Sequence, residues 1–157
     1  MSESPALQEF AVQSLEGPAG PITVVVDLSL CDYLDSTFLG CLVSLHRKYN
    51  RTLPHRFQVA APGDKREKLL AATHLVQVLD LTDVCPEPIS DVLEVSHPIL
   101  LGDGLGRHVM ECHRRLADLG GSGAAAFRSI AEQLARELGE NPHDSDAPTG
   151  EYPVPAS

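Results

Sequence analysis

The stretch Val24–Val43, reading VVVDLSLCDYLDSTFLGCLV, constrains this chain more than any other. It opens on β-branched apolar residues, crosses a loop region holding Asp27, Asp32 and Asp35, and enters a helical pattern at Asp35-Ser36-Thr37. A strand that empties into a helix N-terminus presents free backbone N–H groups and a partial positive charge, at the edge where α/β sheets meet their ligands. Ser36 stands at that junction, so the fate of its hydroxyl is the functional question.

The flanking sequence supplies the rest of a sheet. Ile22–Leu28 is a continuous apolar run, the pattern of a strand buried on both faces in a parallel sheet. Ser36 to Tyr49 reads as a helix, with Phe38, Leu42, Leu45 and Tyr49 at helical spacing and Leu39 and Val43 beside them. Asp35 or Ser36 can cap it, and His46, Arg47 and Lys48 fall in the last turn, where cations suit the dipole. Arg56–Ala61 predicts a second strand, closed by Pro62-Gly63. Asp64 and Glu67 form a D-x-x-E capping pair that opens a helix to about Ala72, and Val76–Leu81 predicts a third strand. Alternating strands and helices imply an α/β fold: a mainly parallel sheet with right-handed crossovers and helices packed on it.

The ends are different in kind. Leu7–Leu15 suits a short helix, while Phe10-Ala11-Val12 suits a short edge strand; both readings stay open, and Gly17–Pro21 ends either one. Cys85–Leu101 reads as a connector with one short helix near Ser90–Val95. Leu105–Leu119 and Ala124–Leu138 read as helices joined by Gly120-Gly121-Ser122-Gly123, hence an antiparallel hairpin. Residues 140–157 carry acids and prolines without Lys or Arg and read as a disordered acidic tail. The expected organisation is a domain over 1–101, a helical extension over 102–139 and the tail.

Charge and cysteine usage narrow the function. A formal net charge of −10 argues against nucleic acid and against an anionic membrane surface, both of which select Lys and Arg. The longest apolar run, Ile22–Val26, is far too short to span a bilayer, and MSESPALQEF shows no signal-peptide pattern. Cys31, Cys41, Cys85 and Cys112 form no C-x-x-C pair, so reduced thiols in a cytoplasmic protein are expected.

The run Val25-Val26-Asp27-Leu28, then Leu34-Asp35-Ser36-Thr37-Phe38-Leu39-Gly40 and Leu42, resembles the signature of STAS domains, the family of anti-sigma factor antagonists. Phe57–Pro62, Leu69-Leu70 and Leu75–Leu79 resemble later pieces of the same pattern, so the likeness covers roughly residues 22–81. It implies a small α/β domain with a mainly parallel or mixed sheet. It also implies a regulatory binding module that is not an enzyme and carries no cofactor. Its partner would be an anti-sigma factor with serine-kinase activity, and Ser36 would be the residue that partner phosphorylates, with Thr37 next in line. Asp32, Asp35, Ser36, Thr37, Phe38 and Gly40 would form the docking surface. The unmodified form would bind and release the sigma factor; the phosphorylated form would let go. A phosphate adds nearly two negative charges, which the helix dipole tolerates and which neighbouring Asp32 and Asp35 reinforce against a partner. The chain departs from the family in having only about twenty residues before the first strand, and in carrying His74 where glycine often ends a helix. The C-terminal hairpin lies outside the common domain and would cover the sheet or assemble the chain into an oligomer; a non-switching scaffold built that way is the second reading.

Plainer readings stand beside these. Ser36 is also an ordinary helix-capping serine, and Thr37 an ordinary β-branched residue of a first turn. Asp27, Asp32 and Asp35 resemble an acidic Mg²⁺ pocket, but the third strand ends without the lysine such a receiver needs. His108 and Cys112 stand at i, i+4 yet lack further ligands, so no metal site is assigned; Cys112 reads as core, and His108 and His113 as surface residues. His46, His55 and His143 read as solvent-facing. No G-x-S-x-G elbow surrounds Ser36, and Gly102-x-Gly104 reads as a flexible helix start.

Overall fold

The computed structural model describes residues 3–18, 20, 22–87 and 102–140. Helix α1, Ser4–Glu16, resolves the N-terminal ambiguity in favour of a helix: Pro5 lies in its first turn, and Gly17 leaves the helix in an extended conformation. Strands β1 (Val24–Asp27), β2 (Phe57–Ala60) and β3 (Leu81–Thr82) form a three-stranded sheet in that order, and both pairings are parallel. Val24 lies opposite Phe57 and Asp27 opposite Ala60, while Val59 lies opposite Leu81.

The first strand is shorter and less enclosed than its apolar run implies. Val24 is buried, Val25 and Val26 are half-buried and Asp27 is exposed. The segment after β2 also departs from expectation. Helix α3 is only Gly63–Lys65, capped by Pro62 with no side-chain bond, so the Asp64–Glu67 pair does not form a capping box. The helix widens into a π turn at Arg66–Leu70 and then tightens into 3₁₀ turns at Ala71–Thr73 and Leu75–Gln77. Residues 76–77 are therefore helical, and β3 starts only at Leu81. Between the two 3₁₀ turns His74 adopts φ 57°, the left-handed conformation that glycine takes at low cost.

Helix α2, Ser36–Asn50, is the centre of the molecule. Leu39, Gly40, Cys41, Leu42, Val43 and Leu45 are all buried, which is no single helical face. A helix apolar most of the way round needs cover on several sides. Here β2, α1 and helix α4, Asp103–Ala117, all pack against it. Full burial of Leu42 alone stabilises the fold by about 2 kcal/mol in transfer terms.

Helix α4 and helix α5, Ala124–Glu137, form the expected antiparallel hairpin. The start of α4 lies beside the end of α5, with Arg107 paired to Glu140 at 2.7 Å and Gly106 against the Leu138 side chain. Met110, Ala131 and Ala135 make a small core between the two helices. Cys112 and Leu116 belong instead to the main core with β1, β2 and α2. The helix predicted near Ser90–Val95 and the tail after Glu140 lie outside the described residues.

Candidate functional site at the start of α2

Asp35 caps α2: its backbone is extended and its carboxylate accepts the Phe38 N–H at 2.7 Å. That leaves Ser36 as the first helical residue, relieved of the capping task. Its Oγ lies 2.9 Å from His113 Nε2 on α4. The other ring nitrogen, Nδ1, lies 2.8 Å from the Val109 carbonyl oxygen. A carbonyl only accepts, so Nδ1 carries the hydrogen, Nε2 offers a lone pair, and the Ser36 hydroxyl donates to it.

A second bond of the same kind lies nearby. Ser4 Oγ, in the first turn of α1, is 2.8 Å from His108 Nε2, and the Cys112 thiol is 3.7 Å from that nitrogen. The Cys41 thiol donates to the Ser4 carbonyl at 3.5 Å. His108 and His113 are thus core residues, each 4% exposed, and not the surface histidines that the sequence suggests. Burial pushes the His108 pKa below its ordinary value, with the Asp35 carboxylate opposing. Burial also pushes the Cys41 thiol up to about 12 and raises that of Cys112, so both are held as neutral thiols.

The residues expected to form a docking surface divide into two sets. Ser36, Asp35 and Phe38 are half-buried. Thr37 is buried at 7% exposure, and Gly40 faces α4: a Cβ there would come 2.2 Å from the Cys112 carbonyl oxygen. Neither Thr37 nor Gly40 offers surface to a partner in this conformation. Asp32 is exposed, but its charge does not stand alone. Lys65 at 3.0 Å and Lys68 at 3.5 Å answer it and lower its pKa, Lys65 more strongly, which corrects the picture of uncompensated acids around Ser36. Lys65 also donates to the Cys31 carbonyl at 2.7 Å and so ties the β1–α2 loop to α3.

That loop carries what the sequence reading passed over. Leu30 is 94% exposed and Tyr33 78%, and Val84, just beyond β3, is 74% exposed. Leu30 and Tyr33 thus put two large apolar side chains of the β1–α2 loop in solvent. The histidines had a legible signal too: His108 and His113 stand at three- and four-residue steps from Leu105, Val109, Cys112 and Leu116, on the apolar stripe of α4.

Ser36, His113 and the Val109 carbonyl stand in the order nucleophile, base and orienter. The buried Ser4–His108 bond repeats the Ser–His pairing between α1 and α4. Two surface depressions, of about 540 and 470 Å³, are not lined by Ser36. The larger lies at the far end of α2 between Arg47, Lys48, Arg51 and Arg115, with no carboxylate in its wall. His46 also lines it and is half-buried with an unpartnered Nδ1 among the described residues, not solvent-facing as its position suggests; burial lowers its pKa. His55 is exposed, 2.6 Å from Asp80, and His143 lies outside the described residues. Among the described residues no group of three or more His, Cys, Asp or Glu side chains gathers as a metal site. No helix among them is long and apolar enough to cross a membrane.

No protein-family model, curated protein or solved structure matches this chain.

Proposed function

We propose that this chain is a regulatory protein-binding module of the STAS type. In this reading it is an anti-sigma factor antagonist, cytoplasmic, that binds an anti-sigma factor with serine-kinase activity and is switched off by phosphorylation of Ser36. The observation that carries the reading is the position of Ser36. It is the first residue of a 15-residue helix, freed from capping by Asp35, next to a loop that holds Leu30 and Tyr33 in solvent. The exposed apolar pair supplies contact area for a partner, and the helix N-terminus accepts added negative charge without loss of the helix. The reading assigns the chain no catalysis and no cofactor.

The test uses any histidine-kinase-like ATPase encoded in neighbouring reading frames as the partner. Ser36→Asp is expected to weaken binding by about tenfold or more, while Ser36→Ala binds as the unmodified protein does. Equal affinity of the two variants would reject the switch.

One observation favours a second reading, a STAS-like scaffold that never switches: the Ser36 hydroxyl is already engaged by His113. That reading predicts a stable oligomer in solution and no phosphate on Ser36 after incubation with the same ATPase.

A further inference from the structure

We infer that the α4–α5 hairpin is a lock over the start of α2, and that a phosphoryl group on Ser36 opens it. This rests on the reading of Ser36 as a modified residue and adds what the modification does to the fold. Beside the packing of Cys112 and Leu116 in the main core, three contacts hold α4 on its neighbours. Ser36 donates to His113, Ser4 bonds to His108, and the backbone at Cys112 sits directly on Gly40. The first of these is made by the modifiable oxygen itself.

Transfer from a nucleoside triphosphate on the kinase forms the Oγ–P bond, releases the diphosphate and removes the hydroxyl proton to the kinase's base. Oγ then has no hydrogen to donate. It would face the lone pair of His113 Nε2, because Nδ1–H is committed to the Val109 carbonyl. A gap of 2.9 Å between Oγ and Nε2 leaves no room for a phosphorus and its three oxygens. Either the half-buried Ser36 side chain turns away from His113 or one of the two helices yields, and in both cases the bond to His113 is lost. Helix α2 is held by α1 and β2 as well as by α4, and its N-terminus favours the charge. The hairpin is the part that moves, which opens Cys112 on its own helix and uncovers the α4 side of the neighbouring Cys41, whose thiol otherwise meets the Ser4 carbonyl of α1.

The two buried thiols make the lock measurable without a kinase. Ser36→Glu supplies a charged side chain with no hydroxyl donor. Alkylation by N-ethylmaleimide, mapped by peptide mass, compares Cys41 and Cys112 with the half-buried Cys31 and Cys85 in the same sample. The expected result is that Ser36→Glu raises labelling of Cys41 and Cys112 about tenfold or more relative to Cys31 and Cys85. Amide exchange should quicken in α4 while β1 and β2 keep their protection. Unchanged or slower labelling of the two thiols overturns the lock. So does loss of protection in β1 and β2 along with α4, because the hairpin would then have no separate opening. If the lock opens in Ser36→Glu but no phosphate is ever found on Ser36, the switch reading fails and the lock stands. If phosphate is found and the thiols stay closed, the lock alone fails.

Discussion

Gly40 and Ser36 lie one helical turn apart and do different work on the same neighbour. Gly40 lets two backbones approach: a methyl group would overlap the Cys112 carbonyl oxygen at 2.2 Å and also its carbonyl carbon and Cα. Gly40→Ala is therefore expected to cost about 3 kcal/mol of stability, at the upper end for overpacking, because backbone cannot swing aside as a side chain can. A denaturant melt checks this, and a loss within about 0.5 kcal/mol would mean that the helices separate more easily than their contact implies. Ser36 makes a weaker interaction with the same helix, a single hydrogen bond to His113. The D-S-T-x-x-G spacing made both positions visible in the sequence, but it assigned Gly40 to a partner's surface. No spacing within residues 22–81 can report that α4, sixty-odd residues on, occupies that face.

At the scale of elements, α4 is where reading and structure differ most. Its apolar stripe and its hairpin with α5 were legible from periodicity and from the glycine-rich turn. The burial of its histidines was signalled only by their place on that stripe, and their partners, Ser4 and Ser36, come from distant elements that no local spacing reports. The crossover after β2 departs from the expected helix for another reason. The capping pattern of Asp64 and Glu67 promised a regular helix, but the chain must turn through His74 at φ 57° before β3, and the helix unwinds toward that point. Burial of His108 gives α4 a pH dependence. Its folded pKa lies below the unfolded value of about 6.5, so the unfolded state takes up the proton more readily. Its contribution to stability is complete above that value and is lost as pH falls through it toward the folded pKa. The Asp35 carboxylate reduces the effect, while Ser4 and Cys112 beside the ring carry no charge. His46, also lowered by burial, acts in the same direction, and Glu111, raised by burial, acts against both at lower pH. The melting temperature is expected to drop between pH 7.5 and about 6, with a smaller drop in His108→Gln. An identical drop in that variant would remove His108 from the account.

For the whole molecule, fold and function separate cleanly in what supports them. The parallel α/β core follows from apolar runs and turn residues, and it holds for β1, α2, β2 and the parallel pairing of β3, but not for the crossover between β2 and β3. The C-terminal hairpin is continuous with that core through Cys112 and Leu116, so it is a load on α2 and not an appendage. In the proposed reading, an excess of ten negative charges favours a basic partner at long range, and one further charge at Ser36 changes binding through its place at the contact. The central claim is that Ser36 is modified in the cell. Intact-mass measurement and phosphosite mapping of the protein purified from its own host test it most directly. The account predicts a population carrying one phosphoryl group on Ser36, lost in Ser36→Ala; protein that is unmodified under every growth condition sampled, or a phosphoryl group located elsewhere, would contradict it.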